Sequence, residues 1–208
     1  MRTSRAAIAL IVAAAALSGC AAEGAGTAPT PDAPAASGRP ADELTTRTMV
    51  IDYGDGAALC VGGIGESLPP SCGGPDIIGW NWADVDDEES RSGATWGNYE
   101  VFGTWDGTSF TLTRIPESYD PRAASSATPL PEPTPGDPAN AEAVARAVED
   151  YTNKMDSLDD PLSVGESMGR ASVNVLYDDG GSQQAEADAK YGEGVVEIWS
   201  TLQPAAGA

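Results

Sequence analysis

Val101-Phe102-Gly103-Thr104-Trp105-Asp106-Gly107-Thr108-Ser109-Phe110-Thr111-Leu112 decides the fold class of this chain. Asp-Gly between two alternating runs is a strong signal for a type I′ β-hairpin. A two-residue turn at Asp106-Gly107 predicts that Trp105 pairs with Thr108, Gly103 with Phe110, and Val101 with Leu112. Partners share a face, so Phe110 would cover the bare backbone of Gly103 while Val101 and Leu112 enter the core. Upstream, Met49 to Tyr53 reads as a short strand broken by Gly54-Asp55-Gly56. Ala57 to Ile64 reads as a second strand, and Ile77 to Trp82 as a third with Trp80 and Trp82 on one face. Short strands at this density predict a small antiparallel β domain over residues 45–116, an OB-like barrel or a strongly coiled sheet.

So small a β domain is marginal alone, and two cysteines offer a staple. Cys60 and Cys72 flank a Gly- and Pro-rich loop, and a disulfide between them contributes about 3 kcal/mol in the chain-entropy model. Downstream, residues 117–138 form a Pro-rich linker whose alternating prolines favour extended polyproline II. Residues 139–204 change period and predict a small α-β-α-β unit. Asp137 caps a helix with Pro138 at its first position, and Val144, Val148, Tyr151, Met155 and Leu158 make one stripe. Ser172 to Tyr177 is a strand, Ser182 caps a helix ending at Tyr191 before Gly192, and Val195 to Leu202 closes the unit. Its two strands need a third partner, which the β domain could supply. The whole reads as α+β.

The N-terminus carries the address. Arg2 and Arg5 precede an apolar run, Ala6 to Leu17, too short to span a bilayer, and Leu17-Ser18-Gly19-Cys20 closes it. That ending resembles the lipobox of bacterial lipoproteins. The resemblance implies a signal peptide over residues 1–19, a diacylglycerol on Cys20 and anchoring to the outer face of the cytoplasmic membrane. Three cysteines then resolve as one lipid attachment and one disulfide, as an exported chain allows. Residues 20–44 have almost no large apolar side chain and read as a disordered tether with a root-mean-square reach of about 25 Å.

Composition excludes several functions. The formal charge is −21, which repels nucleic acid because binding there needs Lys and Arg to release counterions. No histidine is present, so Ser-His-Asp and Cys-His machinery and imidazole-held metals are excluded. No phosphate-cradling glycine motif occurs. The reading is a non-enzymatic protein without a cofactor, binding or scaffolding an envelope protein or polymer. A carboxylate-based hydrolase is the enzymatic alternative, because paired acids could do acid–base work.

Leu59-Cys60-Val61-Gly62, Glu66 to Pro75, Gly79-Trp80-Asn81-Trp82 and Gly103 to Thr108 resemble a functionally uncharacterised group of exported actinobacterial proteins. Relatives there carry a further cysteine in a C-P-E-P linker motif. Here Leu130-Pro131-Glu132-Pro133 stands instead, which implies one disulfide fewer. Glu66-Ser67-Leu68-Pro69-Pro70-Ser71-Cys72 also resembles the reactive loop of Bowman-Birk protease inhibitors, which would make Glu66-Ser67 the scissile bond. The ring here is larger by four residues, and a proline-stiffened structural turn is the alternative.

Two clusters complete the candidates. Trp80, Trp82, Trp96 and Trp105 could form an aromatic platform, although such residues commonly serve as core. Asp84, Asp86 and Glu88, within an acidic run from Asp84 to Glu89, are a calcium candidate weakened by the lack of a loop glycine and a bidentate Glu. A solvated acidic loop is the plainer alternative.

Overall fold

Leu44–Asp52 (β1) alternates buried and open side chains, as a strand with one face on a core must. The computed structural model describes residues 42–124, 135–155 and 161–206. The signal peptide, Cys20, nearly all of the tether, the linker prolines from Pro129 to Pro133 and Leu158 lie outside the described residues. After β1 come Ala57–Leu59 (β2), Val61–Gly65 (β3), Ser71–Gly73 (β4), Ile77–Ile78 (β5), Glu89–Arg91 (β6), Ala94–Trp105 (β7), Phe110–Leu112 (β8) and Glu117–Ser118 (β9). The one-turn Pro121–Ala124 (α1) follows, then Ala141–Thr152 (α2), Ser163–Ser167 (β10), Arg170–Val175 (β11), Ser182–Tyr191 (α3), Val196–Ser200 (β12) and Gln203–Pro204 (β13). The chain is α+β, mostly β, with a disulfide between Cys60 and Cys72.

The main sheet nearly closes into a barrel. Its ring runs β2–β1–β7–β8–β5, antiparallel except for the parallel β5–β8 pair. An antiparallel bridge between Ala58 and Asp76 carries β5 back to β2, supported by Leu59 N–H donating to the Pro75 carbonyl at 3.0 Å. The β1–β7 ladder is the spine, with nine register pairs from Leu44↔Gly103 to Asp52↔Thr95. Val50, Leu59, Tyr99, Val101 and Phe110 fill the interior. Gly103 is required there, since a Cβ would lie 2.2 Å from the Thr111 carbonyl oxygen and 2.7 Å from the Phe110 ring. Phe110 therefore does cover Gly103, but on a different register from the one expected.

Trp105 pairs with Phe110 and Gly103 with Leu112, so the turn holds four residues, Asp106 to Ser109, not two. The Asp106 carboxylate explains this: Oδ1 accepts the Thr108 and Ser109 N–H groups, each at 2.8 Å, and so organises a wider turn. Three other expectations need correction. The segment from Ala57 to Ile64 is two strands, because Cys60 bonds back to the Met49 carbonyl at 2.8 Å while the chain beyond leaves β1 for its own hairpin. The third strand ends at Ile78, and Trp80 and Trp82 lie on no strand. The Asn81 side chain accepts from Ala83 N–H and caps a 3-10 turn over Trp82–Asp84. Lastly, β1 begins at Leu44, and Glu43 before it is buried, with its carboxylate held by Thr113 and by Arg114 at 3.1 Å.

The C-terminal elements form a three-stranded sheet, β10–β11 antiparallel and β11–β12 parallel. The third partner is β10, from within the unit, not a strand of the barrel. On one face Ala171, Val173, Val175 and Val196 pack under α2 and α3 through Val144, Ala147 and Ala187. The helix stripe falls as expected for Val144, Val148 and Tyr151, whereas Met155 is exposed. Asp137 caps a 3-10 turn over Pro138–Asn140 that leads into α2. At α3 the capping position is Gly181, and Asp178 Oδ1 takes the Gln183 N–H at 2.7 Å, so Ser182 is the first helical residue, not the cap.

Barrel and sheet share a core. Leu176 and Leu202 are buried in the same cluster as Val50, Leu59 and Phe110. β13 pairs with the start of β1, Leu44 opposite Pro204. The described residues therefore make one compact unit.

Candidate functional site

The β3–β4 hairpin is the feature that stands out from the barrel. Its root rests on the outer face of β1 and β7, where Ile51, Ala94 and Trp96 pack with Cys60 and, from the edge, Met49 and Cys72. The disulfide joins Cα atoms 5.4 Å apart. A second tie is the Tyr53 hydroxyl, which donates to the Pro70 carbonyl at 2.9 Å and accepts the Cys72 N–H at 3.3 Å. Past this neck, Glu66, Ser67 and Leu68 are exposed, Leu68 at 58% and Ile64 beside them at 45%. Ser67 Oγ donates to the Pro69 carbonyl at 2.8 Å, and the Leu68–Pro69 peptide is cis. A covalently closed hairpin with exposed apolar side chains can dock on a partner with little further ordering.

The four tryptophans singled out from sequence sit against the core. Trp96 is buried under the disulfide. Trp80, Trp82 and Trp105 are half-buried on the barrel cluster. Trp80 meets Trp82 and Tyr99 edge-to-face, both with centroids 5.1 Å apart. Trp82 Nε1 donates to Asp52 Oδ2 at 3.2 Å. Burial opposes ionisation of Asp52, but hydrogen bonds from Gly54, Trp82 and Gly56 outweigh it and lower its pKa. The exposed indole is the fifth, Trp199 on β12, at 53%. Alternation along Val196–Ser200 turns Ile198 toward the helices and Trp199 away from them.

Asp84, Asp86 and Glu88 do not converge: among the described residues no three His, Cys, Asp or Glu side chains are placed to hold a metal ion. Asp84 is engaged by Asn81 Nδ2 at 3.0 Å. The Asp86 carbonyl accepts the Tyr99 hydroxyl at 3.1 Å and Ser118 Oγ at 2.8 Å. The acidic loop thus closes over Tyr99, whose pKa is pushed up to about 12 by burial first and by Glu88, Asp87 and Asp86 next. Elsewhere Lys190 Nζ, Tyr191 Oη and Asp150 Oδ2 form a three-way hydrogen-bonded clasp between α3 and α2. The Lys190 and Tyr191 hydrogen bonds hold the Asp150 carboxyl below its usual range.

A cleft of about 340 Å³ lies between the hairpin and the C-terminal sheet. Val61, Gly62 and Ile64 line one side, and Ser163, Asn174 and Thr201 the other. Arg47 and Thr48 of β1 also contribute, Thr48 donating to the Cys60 carbonyl. Sequence reasoning missed this cleft because its two walls come from segments about a hundred residues apart, and nothing in either one marks the other.

No protein-family model, curated protein or solved structure matches this chain.

Proposed function

We propose that this is a non-catalytic envelope protein, lipid-anchored through Cys20 on the outer face of the cytoplasmic membrane, which binds or scaffolds a protein or polymer partner. The observation that carries the binding role is the Cys60–Cys72 hairpin, tied at its neck by Tyr53 and presenting Ile64 and Leu68 to solvent. Its charge of −21 directs the protein away from nucleic acid. Numbering the ring strands in chain order, the barrel runs 1-2-3-5-4-1 with strands 3 and 5 parallel. That order supports the OB-like reading, in which the hairpin is an insertion between strands 2 and 3 of a binding barrel.

The test has two parts. Mass spectrometry of the N-terminus should find diacylglycerol on Cys20, and Cys20→Ala should release the protein from membranes. Envelope material captured by the full protein should be lost from an Ile64→Asp/Leu68→Asp variant. Equal capture by both proteins, or capture by neither under crosslinking, overturns the binding role of the hairpin.

The exposure of Glu66 and Ser67 at the hairpin tip favours one second reading, inhibition of an acid-specific serine protease. Titrating a glutamate-specific serine protease tests it. Stoichiometric inhibition that Glu66→Ala abolishes would support it, and simple turnover at Glu66-Ser67 would refute it.

A further inference from the structure

The three-stranded sheet has two unlike faces. Helices cover the first. The second carries the row Ser163–Asn174–Trp199 and beside it Gly165–Ser172–Glu197, each set by strand register. Gly165 meets open space where a Cβ would stand. One large indole is therefore left half-exposed on a floor of small polar residues. A tryptophan in such surroundings offers an apolar plane with hydrogen-bonding groups at its margin.

The cleft described above begins at the same row, since Ser163 and Asn174 line it. Its volume, about 340 Å³, falls at the small end of ligand sites. The Asn174 side chain is oriented from one side: Oδ1 accepts the Thr201 hydroxyl at 3.0 Å. Among the described residues, its Nδ2 has no protein partner and is available to a ligand oxygen.

Charge then selects the ligand. Arg47 is the charged residue lining the cleft, and Glu100 neutralises it at 2.8 Å. A polyanion finds no free cation there and meets a strongly acidic chain. Glu197 lies one row away from Trp199, but a lone indole is not the aromatic cage that holds quaternary ammonium ions. What remains complementary is a neutral polyhydroxylated molecule with one apolar face. We infer that the Trp199–Asn174 face and its cleft form a binding site for a neutral saccharide, with the indole stacking on a sugar ring and Asn174, Ser163 and Thr201 meeting its hydroxyls. This rests on the binding role proposed above and names a ligand class for it.

The full chain, purified from membranes in a non-glycosidic detergent, is titrated with cellotetraose, tetra-N-acetylchitotetraose and maltotetraose. Tryptophan fluorescence and calorimetry report binding. The expected result is saturable binding of at least one tetrasaccharide, weakened about tenfold by Trp199→Ala and partly restored in Trp199→Phe. Asn174→Ala should weaken it less. Because Trp199 is half-exposed, the Ala variant should keep a single cooperative melting transition and the wild-type far-UV circular dichroism, which separates lost contact from lost fold. Absence of saturable binding to all three sugars overturns the inference, as does wild-type affinity in Trp199→Ala, or choline binding at the same indole in place of sugar. If the sugars fail while hairpin-dependent capture persists, only the saccharide site falls. If sugar binding persists and capture does not depend on Ile64 and Leu68, only the hairpin's role falls.

Discussion

Single residues hold the tightest turns of this barrel, and Asp52 is the clearest. One oxygen accepts the Gly54 and Gly56 N–H groups at 2.7 and 3.1 Å, and the other accepts Trp82 Nε1. It therefore fixes both the β1–β2 turn and the Trp80/Trp82 pair above it. Asp52→Asn should cost about 1.5–3 kcal/mol at neutral pH, the range for hydrogen bonds to a charged group. Because the folded-state pKa is lowered, this stability is present above the unfolded carboxylate pKa and is lost as pH falls through the folded value. Urea unfolding of both proteins at pH 7 and pH 3 should show the gap narrowing in acid. Gly97 acts by absence. A Cβ there would lie 2.6 Å from Tyr99 Oη, and the buried ring has nowhere to retreat. Gly97→Ala should lose about 1–3 kcal/mol by overpacking, measured by the same denaturation.

Among the elements, the β3–β4 hairpin depends most on its staple. With a sequence separation of 12, its closure contributes about 3 kcal/mol, so Cys72→Ser should lower stability by about 2–4 kcal/mol. Limited proteolysis should then cut first between Ile64 and Pro70, where wild type resists. Elements were legible where side-chain chemistry repeats at short range. The disulfide followed from the spacing of Cys60 and Cys72 and from the expectation of export, β7–β8 from Asp-Gly between alternating runs, and α2 from its apolar stripe. Register was not legible, because the Asp106 carboxylate replaced a two-residue turn by a four-residue one. β10 escaped notice because Ser-Val-Gly-Glu-Ser carries one apolar side chain and is recruited by β11, not by its own pattern. The candidate site was half legible. Glu66 and Ser67 were flagged by the prolines and Cys72 beside them, whereas Trp199 became distinctive only once tertiary burial had claimed the other four tryptophans.

For the molecule as a whole, Leu202 matters out of proportion to its place near the C-terminal end. It is fully buried in the barrel cluster, and its N–H bonds to the Leu176 carbonyl at 2.8 Å. Leu202→Ala should cost about 2–5 kcal/mol. Because that side chain joins the barrel to the C-terminal sheet, the loss should appear in one unfolding transition. Tryptophan fluorescence, dominated by the barrel, and far-UV circular dichroism, which also reads the helices, should move together. Two separated transitions would show the halves to be independent.

The pairing of Leu44 with Pro204 has a consequence for engineering. The first and last described strands are neighbours across one antiparallel ladder, so a few residues could join them directly. New termini could then be opened between Ala124 and Pro135, where no ladder pair is interrupted among the described strands. Under the lipid anchoring proposed for Cys20, such a circular permutant carrying the same leader would move the point of attachment from the barrel's first strand to the segment ahead of α2. It would thereby ask whether the orientation in which the fold is presented matters as much as the proposed anchoring itself.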